Sequence, residues 1–214
     1  MKRKKTSIRI LLFCAFCICF AGSPSFCAEK TASSFFAEGF SAQHDENWYA
    51  ASQHFLDAVQ TNPVYADAWF HLAQCSYQLG EFELVLTQLD EAEKYAKDDT
   101  ALQNLRGMTY IAHEKFSESR PIFEHITNKM PYNVVARFGL AVLFLFYGRI
   151  SGAEKQYGEA LKRQNENRKA LLSLAVVSAQ LGKAENARHY ISQAIGYYSG
   201  EAEVHYLAAV VSAM

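Results

Sequence analysis

The chain has 214 residues, 50% of them apolar, 14% aromatic and 20% charged, with 4 proline and 11 glycine. That balance excludes a disordered or collagen-like chain and supplies enough apolar mass for one domain with a sizeable core. A net charge of −1 gives no electrostatic footprint for nucleic acid, and no apolar run has the roughly 20 residues of a bilayer-spanning helix.

Lys2, Arg3, Lys4, Lys5 and Arg9 precede an apolar stretch from Ile10 to Ala21, and Gly22, Ser23, Pro24 and Ser25 follow it. A basic segment, a short apolar segment and a small-residue segment are the three parts of a secretory signal peptide. Residues 1–28 are therefore expected to be removed near Ala28, the alternative being that they stay as an anchor. Removal takes five basic and no acidic residues, leaving 16 Lys and Arg against 22 Asp and Glu, a net charge of −6. The product is expected in a bacterial periplasm or secreted, and a phosphate-backbone ligand becomes less plausible still.

Cys14, Cys17 and Cys19 lie inside the apolar stretch and read as small hydrophobes, not metal ligands. Cys27 is a candidate lipidation site, as in a bacterial lipoprotein, although Phe26 stands where a small residue is usual. Beyond it only Cys75 remains, so no disulfide within the chain is expected unless Cys27 is retained.

After a short lead of residues 29–31, a period of 34 residues runs to the end of the chain. Blocks begin at Ala32, Ala66, Thr100, Val134 and Arg168, with a partial block from Ala202. Position 8 is small throughout: Gly39, Ala73, Gly107, Ala141, Ala175 and Ala209. Position 24 is large and apolar: Phe55, Leu89, Phe123, Tyr157 and Ile191. Positions 20 and 27 are mostly alanine, and Pro63 and Pro131 take position 32. No insertion interrupts the series, so the array reads as five repeats, 32–65, 66–99, 100–133, 134–167 and 168–201, with a closing helix or the start of a sixth at 202–214.

Each block reads as two apolar-periodic helices joined by a short turn. In chain order the expected helices are 33–45, 48–61, 66–79, 82–96, 100–113, 116–129, 134–147, 150–164, 168–181, 184–198 and 202–214. Gly80, Gly148 and Gly182 stand at position 15, between helices, where a residue with positive φ is wanted. A single hairpin of this kind cannot bury its apolar face alone, so neighbours must stack.

This pattern resembles the tetratricopeptide repeat family. Trp69, Leu72 and Ala73 open the second block as that family does, and Gly107, Tyr110, Phe123 and Pro131 carry the third. The resemblance covers residues 32–214 and implies an all-α fold, a right-handed superhelical α-solenoid of antiparallel hairpins. Glu38 and Arg106 depart from it at position 7, where an apolar residue is usual, and Lys97, Asn165 and Ser199 replace the proline.

The resemblance also implies a partner groove lined by positions 2, 5, 9, 12 and 13 of the first helix of each hairpin. Carried over, its candidate residues are Phe36, Phe40, Phe70, Gln74, Tyr77, Asn104, Met108, Ile111, Phe138, Val142, Leu145, Phe146, Leu172 and Val176. Family members that clamp a terminal carboxylate use Lys and Asn here. Only Asn104 is polar among the position-5 residues, so such a clamp is not expected. Residues 134–147 are apolar almost all round, which normally means burial on every side. The apolar face is then either a groove for a peptide or helix, or is covered by the protein itself, including a second copy.

His71 and Cys75 stand one helical turn apart, but a metal site needs three or four ligands and no third is evident. His113 and His125 likewise lack companions. Asp98, Asp99 and Thr100 form an acidic start that reads as a helix cap. No phosphate loop, nucleophile elbow or metalloprotease motif occurs, so neither an enzyme nor a cofactor is expected. The helix at 202–214 is apolar on several sides, which suggests continuation of the chain or docking of this end.

The sequence thus reads as an exported, non-catalytic interaction scaffold of the bacterial cell envelope that binds a protein or peptide partner. Its alternatives are a lipoprotein assisting assembly of an outer membrane, pilus or transporter, a regulatory repeat domain of a longer chain, and a binder of a small hydrophobic ligand.

Overall fold

A computed structural model describes residues 30–213. The signal segment, Cys14, Cys17, Cys19, the lipidation candidate Cys27 and the terminal Met214 lie outside the described residues. Eleven helices, and no strand among the described residues, make up the fold. They are α1 (Ala32–His44), α2 (Trp48–Thr61), α3 (Ala66–Gln78), α4 (Phe82–Glu93), α5 (Thr100–Ala112), α6 (Phe116–Lys129), α7 (Val134–Phe146), α8 (Ile150–Leu161), α9 (Arg168–Gln180), α10 (Ala184–Tyr197) and α11 (Ala202–Ser212). Each packs on the next in sequence, and α3–α5, α5–α7 and α9–α11 also touch, so the first helices of several successive hairpins line up along one face. This is an α-solenoid.

Most helices lie within one residue of the expected spans, but α4 and α8 stop short of residues 96 and 164. After Glu93 the Lys94 and Tyr95 amides reach back only three residues, to Glu91 and Ala92, which tightens the last turn and ends α4. The run after Leu161 is polar, and its Asn167 instead caps α9 by accepting from the Ala170 amide at 2.9 Å. Asp99 caps α5 in the same way, its Oδ1 accepting from the Ala101 amide at 2.6 Å.

The turn inside each hairpin repeats with the same geometry. Gly80, Gly148 and Gly182 have φ of +80°, +67° and +72°. Glu46 and Glu114, at the same position of the first and third blocks, have φ of +56° and +57°. In all five turns the amide of that residue donates to the carbonyl three residues back, and the next amide to the carbonyl five back, the Schellman arrangement. Two glutamates therefore hold a left-handed conformation that glycine adopts without steric cost.

The core is a row of clusters, one per junction. Phe55, Leu89, Phe123, Leu171 and Leu174 are fully buried, and each contributes roughly 1.5–3 kcal/mol through apolar burial. Phe123 is wedged between two helices that carry glycine where they meet it. A Cβ at Gly107 of α5 would lie 2.6 Å from the Phe123 ring, and one at Gly139 of α7 only 2.3 Å from it. The small residue at position 8 was legible as a close-packing position; Gly139, at position 6, was not.

The two departures at position 7 are resolved by ion pairs. Glu38 meets Lys30 at 2.7 Å and His54 at 3.4 Å. Arg106, largely covered, holds Asp90 at 2.8 Å and Glu93 at 2.9 Å across the α4–α5 junction. The helix at 134–146 corrects an expectation. It is not buried on every side, since Val135, Leu145 and Phe146 are exposed, the last at 59%.

Candidate binding clefts

Two clefts open on the face formed by the first helices. The N-terminal one, about 370 Å³, lies between α1, α3 and α5 and is lined by Gln43, Trp48, Phe70, Gln74, Tyr77, Gln78, Ala101, Asn104, Leu105, Met108 and Val135. The C-terminal one, about 840 Å³, lies between α7, α9 and α11. Its walls are Phe138, Leu145, Ile150, Tyr157, Leu172, Val176, Val177 and Leu207, with Arg168, Lys169, Ser173, Gln180 and Glu203 among the polar lining.

Nine of the groove candidates fall into these clefts. Phe70, Gln74, Tyr77, Asn104 and Met108 come together in the first, and Phe138, Leu145, Leu172 and Val176 in the second. Leu172 contributes little open surface, being 6% exposed. The other five are placed elsewhere. Phe36 packs into the N-terminal core, 5.5 Å from the Phe55 ring and 5.0 Å from Tyr65. Phe40 lies beside it, 55% exposed, with its ring edge-on to His71. Ile111 packs down on the Phe123 cluster. Phe146 rests on Phe116, with ring centroids 4.0 Å apart. Val142 is half-buried and lines neither cleft.

The N-terminal cleft has an ordered polar wall. His71 Nδ1 donates to Gln43 Oε1 at 2.8 Å, in the tautomer that suits this acceptor, and Gln43 Nε2 donates to Gln74 Oε1 at 3.1 Å. This string ties α1 to α3 and orients both carboxamides. The His71 ring sits among Phe36, Phe40, Phe55 and Phe70, all within 5.7 Å by centroid. Burial there lowers its pKa below the ordinary 6.5, with Asp67 opposing. Asn104 Oδ1 is buried without a hydrogen-bond partner, and burial raises the Tyr77 hydroxyl.

The His71–Cys75 pair is thereby accounted for as packing. Cys75 is fully buried, and burial pushes its thiol up to about 11. No group of three or more His, Cys, Asp or Glu residues suited to a metal occurs among the described residues. No helix among them is long and apolar enough to cross a membrane.

In the C-terminal cleft Phe138 stands edge-on to Tyr157 at 5.0 Å. Burial raises the Tyr157 hydroxyl, partly offset by a hydrogen bond with Ser173. Trp48, Leu105, Ile150, Tyr157 and Leu207 were not foreseen as lining residues. Trp48, Ile150 and Tyr157 lie on second helices, and Leu207 belongs to the partial block. Continuing the same register into that block would have reached Glu203, at position 2.

Two family models match the chain. One, described as a tetratricopeptide repeat, covers residues 37–99; the other, described as coatomer epsilon subunit, covers residues 73–209. No curated protein matches. Among solved structures, the chain is similar to a thermophilic TPR protein of Thermus thermophilus, at 14% identity and a TM-score of 0.73, covering 86% of this chain and 100% of that one. Pseudomonas aeruginosa pilF aligns at 15% identity with a TM-score of 0.72, over 85% of this chain and 83% of its own. YrrB, described as a TPR protein with an unusual peptide-binding site, gives 14% identity and a TM-score of 0.58, over 86% and 92%. At such identities the likeness carries the fold alone.

Proposed function

We propose that this chain, which belongs to the coatomer epsilon subunit family by a match over residues 73–209 and carries tetratricopeptide repeats, matched over residues 37–99, is a non-catalytic scaffold that binds a segment of a partner protein along its first-helix face. The observation that carries this reading is the pair of clefts on that one face, each lined by side chains from three successive first helices. A preformed concave surface of this kind suits an extended or helical segment. Phe70, Tyr77 and Met108 anchor it at one end and Phe138, Leu145 and Val176 at the other.

The place of action we propose is the bacterial cell envelope, after export. The basic run of Lys2 to Lys5, the apolar run to Ala21 and the small residues that follow support this. Acylation of Cys27 would make the product a lipoprotein. The mass of the mature N-terminus, measured on protein from fractionated cells, tests this part: an intact Met1 in the cytoplasmic fraction would overturn it.

The binding part is tested by cross-linked capture from envelope extract with the wild-type chain beside Leu145→Asp and Gln74→Leu variants, each first shown to keep its helices by circular dichroism. The same envelope protein captured by the wild type and lost from a cleft variant supports the reading. Equal capture by all three, or self-association only, refutes it.

A further inference from the structure

Position 4 of the second block is Trp69, whose indole N–H donates to the Pro63 carbonyl at 2.9 Å. The equivalent residue of the fourth block is Arg137. Its Nε donates to the Pro131 carbonyl at 2.7 Å, so a slimmer side chain keeps the same bond. Nη1 continues to Gln156 Oε1 on α8, also at 2.7 Å, and Gln156 is itself buried. The residue equivalent to Gln156 in the second block is Gln88, which is likewise buried but whose Oε1 has no partner.

Beside Arg137 a crevice of about 200 Å³ lies between α6, α7 and α8, sharing no lining residue with either cleft. Its floor is apolar: Leu140, Leu143 and Phe144. Arg120, Arg149 and Tyr147 line it with Arg137, and so does Glu124, which accepts from Arg120 Nε at 2.8 Å. Three guanidinium groups against one carboxylate leave the crevice positive. Both hydrogen bonds of the Arg137 guanidinium go to neutral oxygens, and the Arg149 side chain has no ion pair or hydrogen bond with any described residue.

We propose that this crevice binds a small organic acid, a carboxylate on a short apolar stem. Guanidinium groups match a carboxylate in charge and in the planar geometry of their donors. The leucine and phenylalanine floor takes apolar surface out of water, which a fully hydrated ion such as phosphate would not use. The volume falls below the roughly 300–1,000 Å³ of pockets for drug-sized ligands, which suits a molecule of this size.

The test is a titration of the full chain with phenylacetate by ligand-observed NMR, beside 2-phenylethanol, inorganic phosphate and a peptide ending in phenylalanine. Saturable phenylacetate binding, with the alcohol and phosphate weaker by about tenfold or more, is the expected result. Arg149→Gln, at an exposed position, should weaken it by about tenfold. Arg137→Trp installs the Trp–Gln pair that the second block already accommodates, and by filling the crevice should abolish binding without loss of helicity. No phenylacetate binding, equal binding of the neutral alcohol or of phosphate, stronger binding of the peptide, or binding unaltered in both variants would each overturn the proposal. Should Arg137→Trp fail to fold, Arg149→Gln decides alone.

Discussion

The two ends of the first-helix face share one backbone and differ in chemistry. At the N-terminal end, Gln43, Gln74, Gln78 and Asn104 stand among Phe70, Tyr77 and Met108, and a string of hydrogen bonds running back to His71 fixes two of the carboxamides. At the C-terminal end the cleft is more than twice as large, its walls are mostly aliphatic and aromatic, and its polar lining includes Arg168 and Lys169. The helices that carry both clefts have the same register and lengths of 11–13 residues. A solenoid therefore sets where side chains stand, and the side chains alone set what each stretch recognises. The first end presents hydrogen-bonding groups, and the second presents apolar bulk.

The sharpest way to break the comparison is at the joint between the two ends. Gly139→Ala would drive a methyl into the buried Phe123 ring and should cost about 1–3 kcal/mol, read as a lower urea midpoint. Next comes the C-terminal cleft itself. Leu145→Asp, at a 37% exposed position, should weaken capture of an apolar segment by about tenfold while leaving stability nearly unchanged. Gln74→Leu should instead affect segments that hydrogen-bond at the other end.

Acid separates the ends more gently. The pKa of His71 is lowered in the fold, so the unfolded chain takes up that proton first as pH falls. The stability tied to neutral His71 is complete above its ordinary 6.5 and is lost as pH drops through the lowered folded value. Melting curves taken between about pH 7.5 and pH 5 should show this slope, and His71→Phe should flatten it. The smallest expected effect is a gain. Glu114→Gly relieves a left-handed glutamate at a cost in backbone entropy, and should raise stability by about 0.5–1 kcal/mol.

Spacing alone made the helices legible, because a 34-residue period with small residues at position 8 leaves few ways to pack, while the lining register followed from the resemblance to the tetratricopeptide repeat family. What spacing could not reveal is the break in the middle of the face. Ile111 and Phe146 hold groove positions by register, yet one packs down on the Phe123 cluster and the other leans over Phe116. Phe36 goes into the core for the same reason: a large ring at a register position follows whichever hollow lies nearer. Arg137 was equally silent, since its role depends on Pro131 and on Gln156, 19 residues ahead of it.

The uninterrupted period bears on how such a molecule changes over time. Every helix leans on its next or next-but-one neighbour in sequence, so taking out residues 100–133 would bring Asp99 up against Val134 in the place Thr100 now holds. Taking out one residue instead would turn every later side chain off its face. Lineages of this chain can lengthen or shorten by whole hairpins more easily than by single codons, and an edit that removes a hairpin also removes the wall it gives to a cleft, as Asn104 and Met108 would go with residues 100–133.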